Sequence, residues 1–154
     1  ELDEYPNLVI TQTLSKAYGL AGIRLGICYA STEVISVLNK IKPPYNVNEL
    51  SQKRALERLA DTDKISAEIA SIIRQREDLL EVLLHVEFVK KIYPTEANFI
   101  LVKVDDANKR YAELIAKGIV IRNRTMQPLC DNCLRLTVGT ELENRKLMAV
   151  LKQL

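Results

Sequence analysis

Lys16 and Arg24 stand eight residues apart in the stretch TQTLSKAYGLAGIRLG, among glycines and small side chains. A lysine amine held in a fixed, partly desolvated position keeps enough of its neutral form to attack a carbonyl and form a Schiff base. An arginine offers a planar fork that binds a phosphate through two parallel hydrogen bonds, and the hydroxyls of Thr13 and Ser15 would add donors around the same oxygens. Together these groups suit an aldehyde cofactor that also carries a phosphate. An exposed lysine in a turn and an arginine paired with a surface carboxylate produce the same pattern, and spacing alone does not separate the two readings.

Two more arginines lie in strand-like runs. In LRLTV, residues 134–138, alternation puts Leu134, Leu136 and Val138 on one face and Arg135 and Thr137 on the other. In IVIR, residues 119–122, the same logic sets Arg122 with Val120, away from Ile119 and Ile121, with Arg124 as a nearby competitor. An arginine projecting opposite the core is either solvated or part of a site. Tyr45, after Pro43 and Pro44, and Asn98, before a strand, either approach a ligand or simply pack their connectors. Cys130 and Cys133 form a lone CxxC; a closed zinc site needs four ligands, so these read as two inert thiols and no metal is expected. His85, the single histidine, closes a helix and reads as a partner of its C-terminal dipole.

The elements that must hold these residues follow from periodicity. Residues 8–13 (LVITQT) and 24–30 (RLGICYA) read as strands, with the lysine in the loop between them. Val34, Val37, Leu38 and Ile41 recur at helical spacing until the two prolines; a second helix follows Asn48, with Leu50, Leu56 and Leu59 apolar. A third carries one apolar face from Ile65 through Ile72, Leu79 and Leu83 to Leu84. Beyond it, strands are expected at 88–93, 98–104, 119–122 and 134–138, and a helix at 107–117 with Gly118 as its stop. A final helix opens on Thr140 and Glu143 in capping-box spacing. The chain therefore divides near residue 85 into a sheet-containing part with connecting helices and a compact α+β unit with a small antiparallel sheet. Two strands within residues 1–30 are too few for an independently stable sheet, and the missing initiator Met agrees with a longer polypeptide upstream.

Composition narrows the functional classes. The 154 residues are 47% apolar and 27% charged, with a formal charge of +2 from 22 basic and 20 acidic residues that are interspersed. No basic footprint argues for nucleic acid, and no apolar window has the length of a membrane span. Three cysteines are poor material for a disulfide framework, so a soluble protein of the reducing cytoplasm is expected.

The lysine segment resembles that of the fold-type I, class I/II aminotransferases, which depend on pyridoxal 5'-phosphate. It shares the SK pair, the GLAG run and the arginine eight residues after the lysine. Four further blocks, PPYNVN, EANFILVKV, GIVIRNR and CLRLTVGTELEN, extend the likeness in order and are similar to the histidinol-phosphate aminotransferase branch. The resemblance implies a mixed α/β and α+β architecture: residues 1–85 would be the end of the cofactor-binding large domain with connecting helices, and 86–154 a small C-terminal α+β domain. It also implies roles. Lys16 would bond the cofactor and carry a proton, while Arg24, Ser15 and Thr13 would hold the cofactor phosphate. Arg135, with Arg122 as second arginine, would bind the carboxylate of glutamate or the phosphate of histidinol phosphate, and Asn98 and Tyr45 would line the substrate site. A homodimer whose partner completes each site is implied too.

A sister aminotransferase for aromatic or other amino acids, a related decarboxylase of phosphate substrates, and a non-enzymatic interaction domain that retains the motif remain open. The family's aspartate for the pyridine nitrogen, its ring-stacking aromatic and its first phosphate loop have no counterpart in these residues. The 154-residue chain alone should therefore show no glutamate half-transamination with added cofactor; turnover comparable to a full-length enzyme would overturn this.

Overall fold

Caps and turns explain where the elements begin. The Ser31 hydroxyl accepts from the Val34 amide at 3.4 Å, the Asn48 side chain from Ser51 at 2.9 Å and the Asp106 carboxylate from Lys109 at 3.0 Å, each satisfying an amide that helix geometry leaves free. The computed structural model, which describes all 154 residues, orders the elements as β1 (Val9–Thr13), a 3-10 turn (Ala21–Ile23), β2 (Gly26–Ala30), α1 (Thr32–Ile41), α2 (Glu49–Leu59), α3 (Thr62–Leu84), β3 (Val89–Ile92), β4 (Phe99–Val104), α4 (Ala107–Ala116), β5 (Arg122–Asn123), β6 (Cys133–Thr137) and α5 (Glu141–Leu151). No helix is long and apolar enough to cross a membrane.

The chain forms two compact units, Glu1–Glu68 and Ile69–Leu154. The division falls inside α3, earlier than the boundary near residue 85 that the sequence suggests. The reason is the apolar face of the helix: Leu79 and Leu83, fully buried, belong to the core of the second unit.

In the first unit β1 and β2 form a two-stranded antiparallel sheet, and a small core joins Leu14 and Leu20 to Ala55 of α2. The periodicity of α1 and α2 does not translate into burial there. Val37, Ile41, Leu50 and Leu56 are exposed, and α2 instead buries its small residues Ser51 and Ala55, which let the loop from β1 approach its backbone.

The second unit carries an antiparallel sheet in the order β3-β4-β6-β5. Ile100, Val102, Leu134 and Leu136 face the core with Leu114 of α4 and Leu147 of α5. The expected strand at 119–122 is shorter and later than its apolar run: Ile121 is buried, but ladder pairing begins only at Arg122. Gly118 ends α4 with a left-handed φ of 76°, a conformation glycine adopts without a Cβ clash. The Thr140 and Glu143 capping box is present in full.

Asn144, buried at 1% exposure, ties three segments together. Its side-chain carbonyl accepts from the Gly139 amide at 2.9 Å, and its amide donates to Gly139 O at 3.1 Å and to Gln75 Oε1 at 3.0 Å. Asn144→Ala removes those partners and leaves the Gly139 amide unpaired. It should destabilise the chain by about 1–3 kcal/mol, read as a lower urea midpoint; an unchanged midpoint would overturn the assignment.

Candidate functional site

The loop that bears Lys16 is shaped by strand register and by two leucines. β1 pairs with β2 from Val9 opposite Ala30 to Thr13 opposite Gly26, so the chain leaves the ladder at Leu14 and returns at Leu25. The Leu14 amide donates to Leu25 O at 3.3 Å and closes the neck of the loop. Burial of Leu14 and Leu20 folds the loop onto α2, where Arg58 Nε donates to Tyr18 O at 2.9 Å and the Ser51 hydroxyl donates to Ile23 O at 3.3 Å.

Lys16 lies between these anchors in a bend, its carbonyl accepting from the Gly19 amide at 2.9 Å, and its side chain is exposed in this chain. The Thr13 hydroxyl oxygen accepts from the Ser15 amide at 3.1 Å, which leaves its hydrogen free to donate. Arg24 is not part of a strand, as residues 24–30 suggested. It has a left-handed φ of 54° after the 3-10 turn, a conformation that costs a non-glycine residue about 1–2 kcal/mol and breaks the ladder until Gly26. Its Nη1 donates to Ala21 O at 3.2 Å, which fixes the guanidinium and leaves its other donors free. Residues 5–32 contain no aspartate or glutamate, so Lys16 and Arg24 are the charged side chains of that segment. Tyr45 is 95% exposed in the connector between α1 and α2.

In the second unit the register gathers arginines. Leu101 lies opposite Arg135, and Arg135 opposite Arg122. Opposite residues of an antiparallel pair share a face, so two like charges meet directly, an arrangement that is unfavourable without an anion. The Arg135 guanidinium lies 5.0 Å from the centre of the Phe99 ring, and its Nε is buried without a hydrogen-bond partner. Burial first, then the charges of Arg124 and Arg122, push its pKa down, so the protonated form is held under electrostatic stress. None of the three guanidiniums forms an ion pair, although arginines elsewhere in the chain do. Asn98 is exposed at the entry of β4, its carbonyl accepting from the Val138 amide at 2.9 Å.

The thiols do not gather with other possible ligands into a metal-binding group of three. Cys28 is opposite Thr11 in the β1–β2 ladder, and Cys133 is fully buried beside Tyr93, where burial raises both its pKa and that of the tyrosine. His85 follows the end of α3, exposed, with Nε2 3.5 Å from Glu81 Oε1.

One unit thus offers a loop with an exposed lysine and an arginine with free donors, and the other a sheet face with guanidiniums that form no ion pair. The chain belongs to the aminotransferase class I and II family, whose profile matches residues 1–151. It is 78% identical, over its whole length, to a histidinol-phosphate aminotransferase of Flavobacterium johnsoniae, and it spans 44% of that relative's length. Among solved structures it resembles the histidinol-phosphate aminotransferase of Clostridium acetobutylicum, at 27% identity and a TM-score of 0.88 over 99% of this chain and 47% of that one. It is also similar to the histidinol-phosphate aminotransferase of Sinorhizobium meliloti in complex with pyridoxal-5'-phosphate, at 25% identity and a TM-score of 0.79 over 96% of this chain and 42% of that one.

Sequence reasoning missed Phe99 as the platform under Arg135, although their strands' alternation would have put both on the outer face. It also missed Arg58, whose contact with the loop is set by a neighbouring helix and leaves no trace in spacing. Arg58 also forms an ion pair with Glu68. Replacing it, Arg58→Ala, should loosen the loop so that trypsin cuts after Lys16 and Arg24 several-fold faster than in the parent chain; unchanged cleavage at both sites would show that the leucines alone hold it.

Proposed function

We propose that the full-length protein is a pyridoxal-phosphate-dependent transaminase that moves an amino group between glutamate and imidazole acetol phosphate, the latter becoming histidinol phosphate in histidine biosynthesis. The observation that carries this reading is the pair Arg122 and Arg135, opposed on adjacent strands without a carboxylate between them. A site that must accept glutamate and then a phosphate ester needs a fixed cation for an anion in both halves of the reaction. The high identity to a relative of that name supports the choice of substrate.

The first unit's donors fit the cofactor. Arg24, pinned through Nη1 with donors to spare, and the hydroxyls of Thr13 and Ser15 suit a phosphate, in a segment free of carboxylates that would repel it. Lys16 is the amine for its aldehyde. When bound, the cofactor supplies a carbonyl that accepts the amino group and a conjugated ring that stabilises the carbanion. Lys16 would hold the cofactor's aldehyde and, once released from it, would move the proton at the substrate's α-carbon. Arg135, stiffened by Phe99, holds the substrate's anionic group with Arg122, so that the α-carbon is presented in one orientation. The same reading assigns Asn98 and Tyr45 to the substrate.

The same reading makes the protein a cytoplasmic homodimer. The dimer comes from the family resemblance alone, and the balanced, interspersed charge gives no support for nucleic acid or a membrane surface as partner.

Borohydride treatment of the cofactor-loaded full-length protein should leave the pyridoxyl group on the peptide containing Lys16. Lys16→Ala should lose about 10²- to 10⁴-fold or more in transamination from the missing proton transfer alone. Labelling of a different lysine, or full activity of the variant, would sink the assignment of Lys16; a full-length protein that neither takes the label nor transaminates would favour an interaction domain.

A further inference from the structure

We infer that Arg124 is a third arm of the arginine cluster and that it discriminates between the two anions the cluster accepts, favouring a dianionic phosphate ester over a monoanionic carboxylate. The inference rests on the transaminase reading and adds a specificity residue to it.

Strand geometry places Arg124 on this face. Side chains two apart along an extended segment point the same way, so Arg124 follows Arg122, which is opposite Arg135. The ladder continues past β5, because the Arg124 amide donates to Cys133 O at 2.8 Å. The backbone on either side is fixed as well. The Gln127 amide donates to Arg124 O at 2.8 Å, the Asn123 side chain accepts from the Thr125 amide at 2.9 Å, and Asn123 Nδ2 donates to Asn108 Oδ1 at 2.8 Å. Arg124 is half-buried, makes no ion pair, and opposes the protonation of Arg135 more strongly than Arg122 does. A guanidinium held by a fixed backbone near two others, with no carboxylate, is built for a ligand charge that the chain itself does not provide. The unpartnered, buried Nε of Arg135 points to the same requirement.

The number of arms sets the preference. A carboxylate has two oxygens, which one bidentate fork and a second arginine satisfy. A phosphate ester has three non-bridging oxygens and about twice the charge, so it has an oxygen left for a third fork, and its attraction to that fork is about doubled. In a site that binds glutamate in one half-reaction and the phosphate substrate in the other, Arg124 therefore contributes mainly to the second.

The test uses the full-length holoenzyme and follows each half-reaction separately in single turnovers. Arg124→Gln should lower kcat/KM for histidinol phosphate about ten- to hundredfold, the range for one lost hydrogen bond to a charged group, while changing that for glutamate less than about threefold. Inorganic phosphate, as a competitive inhibitor against glutamate, should bind about tenfold more weakly to the variant, and Arg124→Lys should recover part of both losses. Equal losses in the two half-reactions, or none, with unchanged inhibition by phosphate, overturn the role of Arg124 and leave the transaminase reading intact. A wild-type holoenzyme that turns over neither glutamate nor histidinol phosphate overturns that reading and this inference with it.

Discussion

The pairing of β6 with β4 and β5 is the constraint on which the second unit depends. Side-chain direction alternates with every residue, so the register that sends Leu134 and Leu136 into the core must send Arg135 to the other face. A slip of one residue would bury a guanidinium and expose two leucines, an exchange costing several kcal/mol in either direction. The core thereby enforces the position of the cation. The same pairing aligns Arg122 with Arg135, a like-charge contact that contributes nothing favourable to folding. Its persistence without a compensating carboxylate is intelligible when an anion is the missing partner.

The first unit solves a different problem with fewer means. A two-stranded sheet gives little stability alone, and the loop between its strands spans Leu14 to Leu25. Two buried leucines, a hydroxyl from Ser51 and a guanidinium from Arg58 hold that loop to α2. Anchoring through Tyr18 O and Ile23 O fixes backbone on both sides of the glycines while leaving Lys16 and Arg24 unburied. The left-handed backbone at Arg24 is the local cost of aiming its side chain, partly offset by its contact with Ala21 O. Much apolar surface on α1 and α2 stays exposed in this unit, which agrees with a chain that spans under half the length of the relative it matches.

The two clusters have opposite electrostatic settings. In the first, a lysine and an arginine stand in a long segment without acidic residues, so charge is sparse and solvent-exposed. In the second, burial and then the charges of Arg124 and Arg122 disfavour the charge of half-buried Arg135. An anion bound to the crowded face is attracted and also relieves repulsion, so preorganisation there is electrostatic as much as geometric.

Much of this was legible in the residues themselves. Local rules depend on neighbours within a turn or a strand repeat, and so the helices, the capping box at Thr140, the stop at Gly118 and the facing of Arg135 could be read directly from spacing. The lysine segment and the blocks after it carried family membership, because backbone and ligand contacts constrain residue types in runs. What spacing could not supply was anything set across distant segments. The opposition of Arg122 and Arg135, the Phe99 platform, the anchoring of the loop by Arg58 and the unit boundary inside α3 all depend on which surfaces meet. Leu50 and Leu56 illustrate the limit: their apolar character suggested burial, yet packing selected Ser51 and Ala55, because only small side chains let the lysine loop come close. Sequence determined the elements and the chemistry available to them; tertiary contact decided which charges face one another, since Coulomb and packing forces act through space and not along the chain.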